Sequence, residues 1–207
     1  MGEPLRVGVL ASGSGTNLEA LLGTVHGREA QIVAVASDQP EAFALQRAAR
    51  AGVPTRVFER AAYETRAARD AAIANWLVER DVRLVVLAGY MQLLGADFLG
   101  RFPDAVINVH PALLPAFPGI GAIAQAVEYG VKVLGVTVHF VDEGVDTGPI
   151  ILQAAIELPG GVTDPEAAHE ALRPLEHRLL PEAVRLFARG ALRRDPANPR
   201  RILVNGA

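Results

Sequence analysis

Short apolar runs, each the length of one β-strand, alternate with longer stretches of helical period along nearly the whole chain. Few folds accept that rhythm. A strand, a covering helix and a second strand form a parallel crossover, and a sheet built from such units must be covered on both faces. The predicted strands are Arg6–Ala11, Gln31–Ser37, Thr55–Phe58, Arg83–Ala88, Ala105–Val109, Gly135–Val141 and Pro149–Leu158. The predicted helices are Asn17–His26, Pro40–Ala51, Glu64–Arg80, Met91–Phe102 and Ile120–Gly130. Only a short acidic loop joins the last two strands, too short for a parallel crossover, so they should pair antiparallel. The expected class is therefore α/β: an open, mostly parallel, twisted sheet with helices on both faces and an antiparallel pair near the C-terminal part.

A long final helix is expected from Thr163 to about Arg189. Thr163-Asp164-Pro165-Glu166 places an N-cap threonine before a proline and a glutamate at capping-box spacing. Pro174 and Pro181 should kink that helix or divide it. The Arg-, Pro- and Gly-rich tail 190–207 is expected to be loosely held. We see no repeat or long linker, so residues 1–189 are expected to form a single domain. At 207 residues, half of them hydrophobic, the chain has ample length for one core.

The formal net charge of −3 gives no field for nucleic acid or an anionic membrane. Any anion must therefore be captured locally. There is no cysteine, which excludes disulfides, thiolate nucleophiles and zinc–cysteine sites and suits the cytoplasm. The apolar run Val7–Ala11 is too short to span a membrane and lacks a signal peptide's flanks.

Chemistry-bearing residues gather where strands should end. Asn108-Val109-His110-Pro111 closes an apolar run. Residues two apart in a strand share a face, so the amide and the imidazole can address one small volume. Asp146 lies further on, in the loop Asp142-Glu143-Gly144-Val145-Asp146-Thr147-Gly148. An amide, a proton carrier and an orienting carboxylate suffice for acyl transfer. Asp142 and Glu143 read as a solvated turn, and His139 as a structural histidine of its strand. A metal triad of His110, His139 and Asp146 is the weaker reading, because the ligand spacing is loose.

Ser12-Gly13-Ser14-Gly15-Thr16-Asn17 joins the first strand to the first helix. Glycines there let backbone N–H groups and a helix N-terminus face a phosphate. No lysine follows, and Leu18 occupies the third glycine's place in the dinucleotide fingerprint. Asp38 suggests either a ribose contact or an ordinary turn. Gly89-Tyr90-Met91-Gln92-Leu93-Leu94, after the strongest strand, reads as the start of a helix that can wall a flat aromatic ligand's slot.

These segments resemble folate-dependent phosphoribosylglycinamide formyltransferases, the glycinamide ribonucleotide transformylases of purine synthesis. The resemblance runs from about Leu5 to Leu192 and rests on the glycine loop, Leu87-Ala88-Gly89-Tyr90-Met91, Asn108 to Pro115, Thr137 to Val141, and Asp146-Thr147-Gly148-Pro149. It implies a Rossmann-like formyltransferase fold. It assigns Asn108, His110 and Asp146 to catalysis, and Gly15, Thr16 and Asn17 to the substrate's ribose-phosphate. Glu176 is assigned to the glycinamide end. Arg66, Met91, Gln92, Leu93 and Leu94, with Asn108, are assigned to the formyl-folate, and the loop Val141–Asp146 closes over the pterin.

The implied co-substrate is 10-formyltetrahydrofolate, with no metal. The implied acceptor is glycinamide ribonucleotide, in a cytoplasmic monomer or homodimer. Some positions depart from the family. Gln92 stands where many relatives carry a basic residue, Ala112 replaces the usual serine, and Gly121-Ala122 stands where a histidine is common. Pro174 lies two residues before Glu176, where a kink would displace that acid. The rival readings are a formyltetrahydrofolate deformylase and a non-enzymatic phosphate-binding module. A methionyl-tRNA formyltransferase would need an RNA-binding domain and a positive charge.

Overall fold

The structure is a computed structural model that describes residues 3–158 and 163–205. Contacts within the chain divide it into two compact units, Met1–Asn108 and Val109–Ala207.

In the first unit the strands β1 Leu5–Leu10, β2 Ala30–Ser37, β3 Thr55–Val57 and β4 Leu84–Leu87, with the start of β5 Val106–His110, lie parallel in the order β3-β2-β1-β4-β5. The order steps outward from β1 to β3 and then resumes on the other side of β1 at β4. This makes the carboxyl ends of β1 and β4 a topological switch point, where ligands of open α/β sheets collect. The strands are apolar toward those ends: Val9, Leu10, Val85 and Val86 have no exposed surface. Burying each such side chain contributes about 1.5–3 kcal/mol. The helices are α1 Thr16–Thr24, α2 Phe43–Arg50, α3 Arg66–Val78 and α4 Ala96–Arg101.

The apolar spacing after β4 predicts a helix from Met91, but α4 begins only at Ala96. Residues 91–95 have no regular structure. Their spacing imitates a helix start, while their backbone is held from outside: Ser12 Oγ accepts from Met91 N at 2.9 Å and Asp70 Oδ2 from Gly95 N at 2.9 Å. Such side-chain bonds compete with helix formation.

The second unit contains α5 Ala122–Tyr129, β6 Val133–Phe140, β7 Ile150–Glu157, α6 Pro165–Ala188, β8 Leu192–Asp195 and β9 Asn198–Val204. The expected antiparallel pair is β6 and β7, with Thr137 opposite Gln153. The sheet is thus open and mostly parallel, with helices on both sides and antiparallel strands toward the C-terminus.

Helix α6 runs unbroken through Pro174 and Pro181, so it is not divided there. Ala168, Leu172, Leu179, Leu180, Ala183 and Val184 are buried along it, and α6 packs on β6 and β7. Tertiary burial here outweighs about 3 kcal/mol of intrinsic penalty per proline. Its N-cap is Asp164, not Thr163: the Asp164 carboxylate accepts from Glu166 N at 3.0 Å and Ala167 N at 3.3 Å.

The segment expected to be a loose tail folds into the β8–β9 hairpin, paired antiparallel from Leu192↔Val204 to Asp195↔Asn198. Its turn is set by Asp195, whose carboxylate accepts from Ala197 N at 2.9 Å. Gly206 and Ala207 lie outside the described residues.

Candidate active site

In the second unit, three side chains converge on the mouth of the β6–β7 hairpin. His110 ends β5, and the chain after it is pinned by Thr137 of β6. The Thr137 hydroxyl donates to Ala112 O at 2.7 Å and accepts from Leu114 N at 3.1 Å. Asp146 lies in the loop between β6 and β7 with a left-handed backbone, φ +52°. His110 Nδ1 stands 3.3 Å from Asp146 Oδ2, and His139 Nε2 stands 3.5 Å from Oδ1. Gly119 N donates to Oδ2 at 2.7 Å.

Burial pushes the Asp146 carboxyl up. The hydrogen bond from His139, the Gly119 N–H and the charges of His110 and His139 together outweigh it and hold the carboxyl at about 2. Asp146 is therefore a fixed anion at neutral pH.

The other ring nitrogens also meet acceptors. His110 Nε2 lies 2.8 Å from Phe117 O, and His139 Nδ1 lies 2.8 Å from Phe140 O. A carbonyl only accepts, so each of those nitrogens carries a hydrogen. Only an imidazolium donates to both neighbours at once. The constellation can thus store a proton beside a carboxylate.

His139, expected to be a structural histidine, is a partner of Asp146. The β6–β7 register, which shifts between Val138 and His139, sets that approach, and no spacing rule reveals it. Asp142, in the surface turn expected of it, also braces that turn: it accepts from Thr147 Oγ1 at 2.6 Å and from Gly144 N at 3.1 Å. An Asx turn of this kind was readable from Asp-x-Gly. Among the described residues, no group of three or more His, Cys, Asp or Glu is arranged to hold a metal.

Glu176 lies on α6 at 4% exposure, with His169 Nε2 3.8 Å from its Oε1. The hydrogen bond that His169 donates to Glu176 raises the His169 pKa, against burial, which lowers it. Since α6 is unbroken, Pro174 does not interrupt the helix that carries this acid.

In the first unit, Asn108 lies two residues before His110 on β5 and is half-buried. Gly15 caps α1 with φ +71°, and no side chain caps that helix. A Cβ at Gly15 would sit 2.6 Å from Ala44 Cα, so only glycine lets α2 approach. The first turn of α1, with Thr16 and Asn17, offers N–H donors and a positive dipole end.

The glycine loop and the segment after β4 meet at the switch point, where Ser12 N donates to Gly89 O at 3.0 Å. Beside them opens a cavity of about 560 Å³, lined among others by Ser12, Gly13, Asp38, Phe43, Met91 and Gln92. Met91 and Leu93 are 61% and 55% exposed, and Leu94 is buried. Arg66 begins α3, with a guanidinium nitrogen 3.9 Å from where a Cβ on Gly95 would lie. Asp38 is neither free nor simply a turn residue: it accepts from Ser12 Oγ at 2.6 Å and Gln92 Nε2 at 3.0 Å.

An open α/β sheet with an imidazole–carboxylate pair at a strand end is the scaffold of a group-transfer enzyme. Residues 5–184 match the formyl transferase family model, and the chain belongs to that family. Bacterial relatives of high similarity are named phosphoribosylglycinamide formyltransferase, and animal ones, among them that of Gallus gallus at 42% identity over 91% of this chain and 19% of its own, trifunctional purine biosynthetic protein adenosine-3. The phosphoribosylglycinamide formyltransferase of Mycobacterium tuberculosis is 46% identical over 186 residues, covering 89% of this chain and 86% of its own. That of Bacillus subtilis is 43% identical over 179 residues, covering 86% and 91%. The crystal structure of glycinamide ribonucleotide transformylase 1 from Symbiobacterium toebii matches 99% of this chain and 95% of its own, at 47% identity and a TM-score of 0.92.

Proposed function

We propose that this protein transfers a formyl group from 10-formyltetrahydrofolate to the primary amine of glycinamide ribonucleotide, a step of purine synthesis. The observation that carries the reading is the His110–Asp146 pair, 3.3 Å apart, in a chain of the formyl transferase family.

The substrate amine attacks the formyl carbon directly. A C–N bond forms, and the carbonyl electrons move to oxygen. Asn108 donates a hydrogen bond to that oxyanion, and a donor of this kind is worth about 3–4 kcal/mol of barrier. Asp146, ionised at neutral pH, orients the His110 ring through Nδ1. The Nε2 hydrogen of His110 exchanges the Phe117 carbonyl for the reacting centre. The tetrahedral intermediate then collapses: the bond from carbon to the folate nitrogen breaks, and that nitrogen gains a proton as the attacking amine loses one. His110 gives its Nε2 proton to the folate nitrogen and takes the proton of the attacking amine in its place, so the ring ends as it began.

Gly15, Thr16 and Asn17 at the α1 N-terminus hold the substrate phosphate, and Glu176 takes the glycinamide end. Arg66 and the 91–94 segment hold the folate. The chemistry calls on no metal and no covalent enzyme intermediate.

The test is to incubate purified protein with 10-formyltetrahydrofolate, with and without glycinamide ribonucleotide. Donor consumption that needs the ribonucleotide supports the transferase. Loss without the ribonucleotide selects the deformylase, and no loss at all leaves only a ligand-binding role.

A further inference from the structure

Residues 91–95 display two apolar side chains to the outside on a backbone with no regular structure. The segment is held by a continuous polar chain beneath it. Ser12 Oγ accepts from Met91 N at 2.9 Å and donates to Asp38 Oδ1 at 2.6 Å. Asp38 Oδ2 accepts from Gln92 Nε2 at 3.0 Å, and Gln92 Oε1 accepts from Arg69 NH1 at 3.1 Å. Arg69 NH2 donates to Asp70 Oδ1 at 3.1 Å, and Asp70 Oδ2 accepts from Gly95 N at 2.9 Å.

Arg69, Asp70 and Asp38 are 2%, 2% and 5% exposed. A guanidinium that deep must be paired, and the paired group becomes a rigid anchor. Both ends and the middle of the segment are thereby tied to the core. Gln92, the middle tie, faces inward with each end of its amide engaged, while Met91 and Leu93 on either side face out.

We infer that Gln92 is a positioning residue, locked between Arg69 and Asp38 to hold Met91 and Leu93 in the folate slot, and that it does not itself contact the folate's glutamate tail. The inference rests on the reading that residues 91–94 wall that slot. It also accounts for a neutral amide at position 92. An amide donates to the Asp38 carboxylate and accepts from Arg69, whereas a cation there would face the Arg69 guanidinium.

Steady-state kinetics with both substrates varied tests it. Gln92→Met, nearly the same shape with both bonds removed, is expected to raise KM for 10-formyltetrahydrofolate about ten-fold. Turnover and KM for glycinamide ribonucleotide should stay within about two-fold. Gln92→Glu, which sets a second carboxylate against Asp38, should be worse. Combining it with Asp38→Asn restores both bonds, with the polarity of the one to position 38 reversed: the carboxylate introduced at position 92 accepts from Arg69 as the parent amide does, and also from the amide introduced at position 38. That pair should return the folate KM to within about three-fold of the parent.

Leu93→Ala tests the slot itself. If it leaves the folate KM unchanged, the slot reading fails and the inference falls with it. If Leu93→Ala raises the folate KM but Gln92→Met does not, only the role of Gln92 is overturned. A rise in both substrates' KM, or no rescue by the swapped pair, also overturns it. Should Gln92→Met not fold, the comparison of Gln92→Glu with the swapped pair decides the question in its place.

Discussion

Asp146 holds its carboxylate between two imidazoles and a backbone N–H, from a left-handed backbone that a non-glycine residue adopts only at a cost. The depression to about 2 has a direct consequence for acid stability. The folded-state value lies below the ordinary 3.8, so the contribution is fully present above about pH 4 and is lost as pH falls through about 2. A shift of that size corresponds to about 2 kcal/mol. Asp146→Asn should flatten the pH dependence of urea-unfolding stability across that window. The same variant should cut turnover by about 10²–10³-fold with little change in ribonucleotide affinity, measured by single-turnover kinetics and direct binding. Near-normal turnover would remove the carboxylate from the proposed mechanism. Asn108→Ala should lower kcat by about 10²–10³-fold and barely move either KM, as loss of a transition-state donor does. A change confined to KM would reassign the amide to ground-state binding.

The β6–β7 hairpin is the element that brings Asp146 and His139 together, and Gly148 is where it closes. A Cβ there would collide with the Phe140 carbonyl oxygen, the atom that accepts from His139 Nδ1. Backbone cannot yield as a flexible side chain would. Gly148→Ala should therefore cost about 1–3 kcal/mol in urea unfolding and at least about ten-fold in kcat, with His139 dislodged as well as Asp146. Unchanged turnover would show that the hairpin mouth tolerates rearrangement.

How readable these elements were depended on where their bonds come from. β1, β4 and β5 declared themselves by apolar runs, because a buried parallel strand needs no other signal. The antiparallel β6–β7 pair followed from loop length alone. Residues 91–95 misled because their constraint lies in Ser12 and Asp70, distant in sequence, so that local apolar spacing suggested a helix. The unbroken α6 was hidden for the same reason: its proline penalties are local, but the burial that outweighs them is not. At the site, Asn108, His110 and Asp146 stood out by chemistry and strand position. His139 and the Arg69–Gln92–Asp38 chain depended on register and packing, which no motif records.

For the molecule as a whole, the C-terminal hairpin bears directly on how far the folding unit extends. Its ties to the rest of its unit include one parallel pairing of Arg201 with Ile150, the Ala191 N bond to Leu186 O at 2.9 Å, and Arg200 NH2 donating to Thr147 O at 3.0 Å. The last of these touches the residue next to Asp146. The family match already ends at residue 184, and the buried face of α6 is complete before Arg189. A chain ending at residue 189 is therefore expected to unfold in one cooperative transition with a melting temperature lowered by about 2–8 °C. Turnover should fall by less than about ten-fold, since one exposed charge-assisted bond is worth about 1 kcal/mol or less. If the Arg200 tether is the hairpin's only catalytic contribution, Arg200→Ala in the full chain should reproduce the truncated chain's kcat while keeping the parent's melting temperature. A truncated chain that fails to fold would place the hairpin inside the domain. Equal turnover in truncated and full chains would show that the loop bearing Asp146 is held by Asp142 and Gly119 alone.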